Sequence, residues 1–280
     1  MRVSIGGAKL FFDIDGAKLR PDGPAMREAP TLVVLHGGPG FDHSSFKPSF
    51  SQLAEVAQVV YLDHRGQGRS DRGDSARWNL AQWADDVRSF CDALEIVRPI
   101  VLGQSFGGFV AMAYASRHPG HPAKLVLSST CARLRFDRSF EMFERLGGAE
   151  PREAAERFFA NPSLETLPDF RAKCFPLYAR RGFDADSSAR TLFNLDLMFD
   201  FFRREGRSMN LLAELSRIRC PTLVIAGERD PITPIADAED VVAALSPELV
   251  RFERVADAGH GVFRDDPDRF FRVVREFISS

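Results

Sequence analysis

Gly103-Gln104-Ser105-Phe106-Gly107 is the stretch on which the predicted fold is built. The apolar residues Pro99 to Leu102 come directly before it, and an Ala-rich run from Gly108 to Ala115 follows. The first run is short, β-branched and bounded by proline and glycine, so it predicts a buried strand, whereas the second is long enough for a buried helix. A serine on the sharp turn between a strand and a helix is the arrangement of a nucleophile elbow.

The two glycines of this stretch have a physical reason. The turn forces Ser105 into a strained backbone conformation and brings strand and helix close together, so Gly103 and Gly107 must lack side chains. The helix that follows presents free N–H groups and its positive dipole end beside the serine hydroxyl. We interpret Ser105 as a nucleophile; the alternative is a glycine-rich turn with a bystander serine.

The composition predicts one ordinary α/β protein. The chain has 280 residues, of which 44% are hydrophobic and 27% charged, with a formal net charge of −2. This charge favours neither nucleic acid nor an anionic membrane as a partner. No stretch has the length of a membrane span or the pattern of a signal peptide, so we expect a cytoplasmic protein with a small-molecule substrate. The 4 cysteines form no C-x-x-C pair, so no zinc or redox site is predicted.

Strands alternate with helices along the first 130 residues, which predicts a parallel sheet with helices on both faces. We expect an N-terminal hairpin or meander over residues 1–20, a surface loop from Arg20 to Pro30 and a short helical region from Ser44 to Ala57. Apolar residues at three- and four-residue steps after Asn79 predict an amphipathic helix that this asparagine caps.

The alternation stops at residue 131, where helical patterns rich in phenylalanine begin, and resumes near Pro221. We therefore expect a core domain of residues 1–130 and 217–280, with an inserted helical cap of residues 131–216. In the second half of the core, we expect Thr233-Pro234 to cap and start a helix that runs to about Leu245, and Asp266-Pro267 to start a closing helix.

Three polar residues each follow a predicted strand: Ser105, Asp230 and His260. The carboxyl ends of parallel strands meet at one edge of a sheet, and the order serine, acid, histidine is that of a nucleophile-elbow hydrolase. An imidazole can accept the serine proton near neutral pH, and a buried carboxylate orients the imidazole. We therefore predict these three as the catalytic residues.

Other acids and histidines compete for these roles. Asp63, Asp257 and Glu228 are alternatives to Asp230, but Asp63 precedes the serine, Asp257 is close to His260 in sequence, and Glu228 falls near the end of a strand. We expect His118 and His121, which flank prolines at a helix end, to face solvent.

A glycine-rich loop, His36-Gly37-Gly38-Pro39-Gly40, follows another predicted strand. Its N–H groups can face a ligand because few side chains block them. We predict an oxyanion hole formed by the N–H groups of Gly38 and Phe106, with Gly37 as the weaker alternative to Gly38. We interpret His36 as a buried structural residue.

The chain resembles the α/β-hydrolase superfamily. The loop at residues 36–40, together with Asp63-His64-Arg65-Gly66-Gln67-Gly68-Arg69-Ser70, is similar to the proline iminopeptidase-related branch. The resemblance implies an eight-stranded, mostly parallel sheet, a helical cap, a Ser–Asp–His triad and neither metal nor organic cofactor. The branch holds iminopeptidases, esterases, lactonases and amidases.

The chain departs from the iminopeptidase pattern at two positions. Iminopeptidases bind the amino terminus of the substrate with cap glutamates and an acid next to the catalytic aspartate, whereas Pro231 follows Asp230 here. Phe106 replaces the usual Trp or Tyr. The glutamates that remain as candidates to bind an amine are Glu141, Glu144, Glu205 and Glu214.

The residues and the resemblance together predict a serine hydrolase that cleaves a small, largely apolar carboxylic ester, lactone or amide through an acyl-enzyme. The alternatives are an iminopeptidase-type aminopeptidase, a small-molecule receptor that keeps the triad, and a carbon–carbon bond hydrolase.

Overall fold

The computed structural model describes residues 1–182 and 185–280. In these ranges the chain forms ten strands, eight of which make one sheet in the order β1-β2-β6-β5-β7-β8-β9-β10. The last six strands of that order are parallel to one another, and β1 and β2 are antiparallel to their neighbours. The strands are β1 (Arg2–Ile5), β2 (Ala8–Asp15), β3 (Leu19–Asp22), β4 (Ala25–Glu28), β5 (Thr31–Leu35), β6 (Gln58–Leu62), β7 (Ile100–Gln104), β8 (Lys124–Ser128), β9 (Thr222–Gly227) and β10 (Val250–Val255).

The central strands are continuous apolar runs because both faces of the sheet are covered. Every residue of β5, β7 and β9 is buried. One hydrophobic core lies on each face, the first packed around α1 (Leu80–Ala93) and α2 (Phe106–Arg117) and the second around α11 (Pro267–Ser279). The predicted eight-stranded, mostly parallel sheet with flanking helices is confirmed.

Helices cover both faces of the sheet. Asn79 caps α1, since its side chain accepts a hydrogen bond from the Gln82 N–H at 2.9 Å, and Asp266 caps α11 in the same way through Arg269. The helices of the described residues are α1 (Leu80–Ala93), α2 (Phe106–Arg117), α3 (Phe136–Gly147), α4 (Ala149–Ala160), α5 (Leu167–Lys173), α6 (Ala185–Arg190), α7 (Leu195–Arg203), α8 (Glu205–Ser208), α9 (Ile235–Ala244), α10 (Val262–Asp265) and α11 (Pro267–Ser279).

The expected surface loop from Arg20 to Pro30 was wrong. Strands β3 and β4 pair there as a separate two-stranded ribbon, with Leu19 opposite Glu28 and Asp22 opposite Ala25. Because the ribbon is mostly exposed, charged side chains on either face remain in water and lose no hydration. Its composition therefore resembles that of a loop. Its backbone groups pair with each other, which satisfies them without a core.

The expected helical region from Ser44 to Ala57 consists of two short 3₁₀ helices, His43–Phe46 and Ser49–Glu55. Pro48 lies between them and has no N–H to donate, which prevents one continuous α-helix. Thr233 also differs from the expectation at α9. The helix starts at Ile235 after Pro234, but the Thr233 side chain bonds to Asp230 instead of capping it.

Two histidines expected to face solvent are packed against other groups. His121 is buried, and its Nδ1 forms a hydrogen bond with the Tyr114 hydroxyl. His118 is partly buried, and its Nε2 lies 3.0 Å from Asp85 Oδ1. Tyr114 lies 7 residues before His121 and Asp85 lies 33 residues before His118, so local sequence does not reveal either contact.

Helices α3 to α8 lie between β8 and β9 in the chain, and α3, α4, α5 and α7 pack around a cluster rich in phenylalanine. This helical segment contacts loops that follow three strands of the main sheet. Ser139 Oγ donates to the Pro231 carbonyl at 2.6 Å, the Asn194 N–H donates to the Gly40 carbonyl at 2.7 Å, and the Tyr178 carbonyl accepts from the His260 N–H at 2.6 Å. The segment therefore covers the carboxyl edge of the sheet. The predicted cap range includes residues 183 and 184, which lie outside the described residues.

Candidate active site

Ser105 occupies the turn between β7 and α2 with φ +53° and ψ −120°, a conformation that costs a residue with a side chain about 1–3 kcal/mol. The surroundings hold this conformation. The Ser105 N–H donates to the Ser128 carbonyl at 2.9 Å, and Thr130 Oγ1 donates to the Ser105 carbonyl at 2.8 Å. A methyl group at Gly103 would overlap the Gly107 carbonyl, which is why the predicted glycines are needed.

His260 lies in the loop between β10 and α10, and backbone contacts fix its position. Its N–H donates to the Tyr178 carbonyl, and its carbonyl accepts from Gln104 Nε2 at 3.2 Å. The Tyr178 ring meets the imidazole edge to face, with centroids 5.5 Å apart. The imidazole Nε2 is 2.8 Å from Ser105 Oγ, which is hydrogen-bond distance.

Asp230 follows β9 and is fully buried. Its two carboxylate oxygens lie 2.8 and 3.0 Å from His260 Nδ1. Three further donors bind the same carboxylate: the N–H groups of Ile232 and Thr233, at 2.8 and 2.9 Å, and Thr233 Oγ1 at 2.8 Å. A carboxylate held in this way accepts the Nδ1 proton of the histidine and leaves Nε2 as the acceptor toward Ser105.

The structure thus brings Ser105, His260 and Asp230 into one hydrogen-bonded chain, and it separates the competing acids from it. The Asp63 carboxylate binds His43 Nδ1 at 2.7 Å and the Arg69 N–H at 2.8 Å. Asp257 forms an exposed ion pair with Arg180, and Glu228 forms one with Arg254.

His36 is buried beneath the glycine-rich loop. Its Nδ1 lies 2.7 Å from the Gly37 carbonyl, and its Nε2 accepts a hydrogen bond from the His64 N–H at 3.3 Å. Burial lowers the pKa of His36, so the neutral form is favoured. Both nitrogens are thus used in supporting the loop, which agrees with a structural role.

The predicted oxyanion donors belong to two elements: Phe106 directly follows the serine, and Gly38 lies in the loop after β5. Phe106 is the first residue of α2, so its N–H has no carbonyl four positions earlier in the helix. Gly37 and Gly38 follow β5 and line the same cavity as Ser105. The loop is anchored beyond them, because the Gly40 N–H donates to the buried Gln67 Oε1 at 2.6 Å.

A cavity of about 210 Å³ opens above Ser105, between the sheet edge and the helical segment. Its lining is mainly aromatic and aliphatic, so it suits an apolar ligand of modest size. The large apolar residues that line it are Phe41, Phe109, Leu134, Phe136, Phe158, Phe159, Leu167, Phe170, Phe175, Tyr178, Phe193, Met198, Phe202 and Ile232.

None of the four candidate glutamates lines this cavity. Glu144 pairs with Arg152, and Glu205 accepts a hydrogen bond from the Leu80 N–H at 2.9 Å. Among the lining residues of ranges 1–182 and 185–280 there is no aspartate or glutamate at all. The described cavity therefore offers no carboxylate to an amino group.

The four cysteines are buried and carry no disulfide. Burial raises the pKa of Cys91 to about 12 and that of Cys220 to about 11, which keeps both as thiols. Within the described residues no three His, Cys, Asp or Glu side chains group closely enough to hold a metal ion. No helix of the described chain has the length and hydropathy to cross a membrane.

Several residues that hold the predicted catalytic side chains in place were not predicted from the sequence. Thr233 lies three positions after Asp230 in the same loop and binds its carboxylate. Gln104, which is 156 residues before His260, and Tyr178, in the helical segment, both bind the His260 backbone. The spacing of Asp230 and Thr233 resembles a turn motif, which was the one signal available for Thr233. The contacts of Gln104 and Tyr178 require the folded chain.

Comparison with known families identifies the class of protein to which this fold and the turn at Ser105 belong. A profile described as the alpha/beta hydrolase fold matches residues 30–267. The chain therefore belongs to the α/β-hydrolase family, as the resemblance of its motifs indicates.

The relatives found by sequence comparison share about a quarter of their residues with the chain. A proline iminopeptidase, PfmaB of Pestalotiopsis fici, is 27% identical over an alignment of 294 residues. The alignment covers 96% of this chain and 98% of that protein. A putative carbamate hydrolase, RutD of a Caulobacter species, is 27% identical over 276 residues, covering 96% of each. The predicted kinship with proline iminopeptidases and other α/β hydrolases is confirmed.

Solved structures share the fold over the whole chain. The proline iminopeptidase of Mycobacterium smegmatis superposes with a TM-score of 0.75 at 23% identity, covering 100% of this chain and 97% of that one. The enol-lactonase of Burkholderia xenovorans superposes with a TM-score of 0.73 at 21% identity, covering 100% of both. At these identities the likeness concerns the fold alone.

Proposed function

We propose that the protein is a serine hydrolase that cleaves a small, largely apolar carboxylic ester, lactone or amide through an acyl-enzyme. The observation that carries this proposal is the hydrogen-bonded chain from Ser105 Oγ through His260 to Asp230. Ser105 lines the floor of an aromatic cavity, where a substrate carbonyl can reach the serine hydroxyl.

In the proposed reaction, Ser105 Oγ attacks the substrate carbonyl carbon while His260 Nε2 accepts the hydroxyl proton. The negative charge moves to the carbonyl oxygen, where the N–H groups of Gly38 and Phe106 stabilise it. His260 then gives its proton to the leaving alcohol or amine, and the acyl group stays on Ser105. His260 then takes a proton from a water molecule that attacks the acyl-enzyme ester, and returns this proton to Ser105 Oγ as the carboxylic acid leaves. Side chains and water supply every proton and electron pair.

We infer that residues 131–216 form a cap over a core of residues 1–130 and 217–280. The support is the contact of this segment with loops after β5, β9 and β10, which leaves the cavity between cap and sheet edge. Residues of the segment supply most of the aromatic wall, so the cap selects the acyl or leaving group by shape and apolar contact.

A panel of p-nitrophenyl esters, lactones and amino-acyl p-nitroanilides tests the proposal. We expect hydrolysis of short to medium esters, and its loss by at least about a thousandfold in Ser105→Ala with an unchanged circular dichroism spectrum. Ser116→Ala, which changes a buried serine of α2 that bonds only to its own helix, is the matched control and should retain the rate. Retained turnover in Ser105→Ala would refute the proposal.

The names of relatives make an aminopeptidase the second candidate. The described cavity walls oppose it, because no carboxylate lines them to bind a substrate amino group. Hydrolysis of prolyl or alanyl p-nitroanilide with a higher kcat/KM than any ester would establish the aminopeptidase; ester cleavage without amide cleavage would exclude it.

A further inference from the structure

The loop that carries the proposed oxyanion donor Gly38 is held through a nearby residue, Gly40. Both backbone hydrogen-bonding groups of Gly40 have partners outside the loop. Its N–H donates to Gln67 Oε1 at 2.6 Å, and its carbonyl accepts from the Asn194 N–H at 2.7 Å. Gln67 lies in the loop after β6 and Asn194 in the helical segment, so Gly40 is held from two separate parts of the chain.

The Gln67 side chain is fully buried. Within residues 1–182 and 185–280 its Nε2 finds no partner, and the bond to Gly40 is the one hydrogen bond that this side chain makes. Burying an amide with only one of its groups bonded costs free energy that a smaller apolar residue would avoid. The bond to Gly40 therefore accounts for a glutamine at this position.

Asn194 is fixed by its own side chain at the start of α7. Its Nδ2 donates to the Gly66 carbonyl at 2.7 Å, and its Oδ1 caps the helix by accepting from the Leu197 N–H at 3.3 Å. A methyl group built on Gly40 would overlap the Asn194 carbonyl oxygen and would lie 3.2 Å from Met198 Cβ. The first turn of α7 thus packs directly on Gly40.

The turn connects the position of Gly40 to that of Gly38. The two residues have φ +84° and φ +133°, which glycine adopts readily. A methyl group built on Gly38 would lie 3.1 Å from the backbone nitrogens of both Gly40 and Phe41, closer than ordinary van der Waals contact. Because the turn is this tight, a shift of Gly40 displaces the Gly38 peptide as well.

Helix α7 also packs against the second proposed donor, Phe106. The Phe201 ring meets the Phe106 ring edge to face, with centroids 5.3 Å apart, and both residues are buried. One helix of the segment therefore contacts both elements that carry the proposed donors, Gly40 at its start and Phe106 about two turns later.

We propose that Gln67 and Asn194 are positioning residues, which hold Gly40 so that the Gly38 N–H stabilises the oxyanion. Neither residue lines the cavity above Ser105, so both act through the loop and not by touching the substrate. The oxyanion hole is then complete only while α7 is packed on the loop. This inference rests on the proposed function and adds two residues to its machinery.

The test compares an ester with its thionoester, in which sulfur replaces the carbonyl oxygen. Sulfur is larger and accepts hydrogen bonds only weakly, so the oxyanion donors contribute much less to thionoester hydrolysis. The nucleophile, the base and the leaving group are the same for both substrates. The probes are p-nitrophenyl butyrate and O-p-nitrophenyl thionobutyrate, and the ratio of their kcat values measures the contribution of the oxyanion donors.

In Gln67→Met and in Asn194→Ala we expect kcat for the ester to fall roughly tenfold to hundredfold with KM little changed, because misplaced donors weaken binding of the transition state. For the thionoester, kcat should fall no more than about threefold. Gln67→Glu keeps an oxygen acceptor for the Gly40 N–H and should recover most of the ratio.

Two controls remove comparable bonds away from the loop. Asn210→Ala removes an acceptor of the Leu212 N–H, also at 3.3 Å. Gln52→Met removes a donor to the Ser49 carbonyl and an acceptor from Arg275, each at 2.8 Å. Both variants should keep the wild-type ratio of ester to thionoester.

If Gln67→Met or Asn194→Ala does not fold, the milder Asn194→Ser serves the same test. Serine keeps an acceptor for the cap of α7 and loses the donor to Gly66, so the ratio should again fall.

A wild-type ratio in the folded variants of Gln67 and Asn194 would overturn the inference. Equal losses on ester and thionoester would also overturn it, since they would mean that the changes disturb Ser105 or His260 instead of the oxyanion donors. In both cases Ser105-dependent ester hydrolysis would continue, so the proposed function would stand. If Ser105→Ala hydrolysed the ester as fast as wild type, the proposed function itself would be wrong.

Discussion

Thr233 Oγ1 donates a hydrogen bond to Asp230 Oδ2 at 2.8 Å. The same oxygen lies 2.8 Å from His260 Nδ1, so the threonine and the histidine share one carboxylate oxygen. Thr233 therefore helps to fix the rotation of the carboxyl group. It acts through Asp230 and is a positioning residue for the proposed reaction.

Thr233→Val keeps the shape of the side chain but removes this hydrogen bond. We expect kcat for a good ester to fall about tenfold, because one hydrogen bond to a charged group is lost, while KM stays the same. Thr233→Ser should restore the rate. A parallel rise in KM, or an equal loss in Thr233→Ser, would mean that the change disturbs the loop and not the carboxylate.

Gly103→Ala tests the close approach of strand and helix at the turn. The added methyl group would overlap the Gly107 carbonyl, and backbone cannot move aside as a side chain can. We expect a loss of at least about 1–3 kcal/mol in the free energy of unfolding. Gly120→Ala is the control, since nothing lies within 4 Å of a methyl group there. Equal effects of the two substitutions in urea unfolding would contradict this view of the turn.

Asp86→Ala tests the buried ion pair that connects α1 to the loop after β6. Arg65 donates to Asp86 from Nε at 2.7 Å and from Nη2 at 2.6 Å, and both side chains are almost fully buried. Without Asp86 the Arg65 guanidinium is left buried and without its carboxylate, so we expect the free energy of unfolding to fall by about 3–5 kcal/mol.

The control for that variant is Asp92→Ala on the same helix. Asp92 forms a surface ion pair with Arg88, and the two side chains are 54% and 38% exposed, respectively. We therefore expect the free energy of unfolding to fall by at most about 0.5 kcal/mol. Chemical denaturation measures both losses. Comparable values for the two variants would show that the Arg65 pair contributes no more than a surface pair.

Asp237 should make stability depend on pH. Its Oδ1 accepts from Arg138 at 2.6 Å, but its Oδ2 is buried and has no partner among the described residues. Burial outweighs the arginine and raises the pKa of Asp237 to about 7 from 3.8. Because the folded state holds the proton more tightly than the unfolded state, this group stabilises the fold below about pH 4 and loses that effect as pH rises to about 7.

Asp237→Asn removes this titration and mimics the protonated acid. Between about pH 5 and about pH 8 the wild-type protein should lose more of its free energy of unfolding than the variant, by on the order of 1 kcal/mol or more. Urea unfolding at the two pH values measures the difference. An identical pH dependence of the two proteins would show that Asp237 is ionised throughout this range.

Local sequence predicted those parts of the fold that depend on near neighbours. The apolar runs that became β5 and β7, the glycines of the turn and the Asn79 cap all follow from residues within one element. The convergence of Ser105, Asp230 and His260 followed from one further rule, that parallel strands end at the same edge.

The expectations that failed are of two kinds. Some involve contacts between residues that are separated in sequence, and others involve a segment whose composition is typical of a different structure. The β3–β4 ribbon has the charges of a loop because it has no buried face. His121 is buried through Tyr114, and Thr233 binds Asp230 instead of capping α9. The lining of the cavity was also not predicted, since its residues come from separate segments that only the folded chain brings together.

Covalent labelling tests most directly whether His260 and Asp230 make Ser105 reactive. We would treat the protein with a fluorophosphonate and locate the adduct by intact-mass and peptide mass spectrometry. The account predicts one adduct, on the peptide that contains Ser105, absent from Ser105→Ala and formed at least about a hundredfold more slowly in His260→Gln. A wild-type protein that stays unlabelled, or that carries the adduct on another residue, would contradict it.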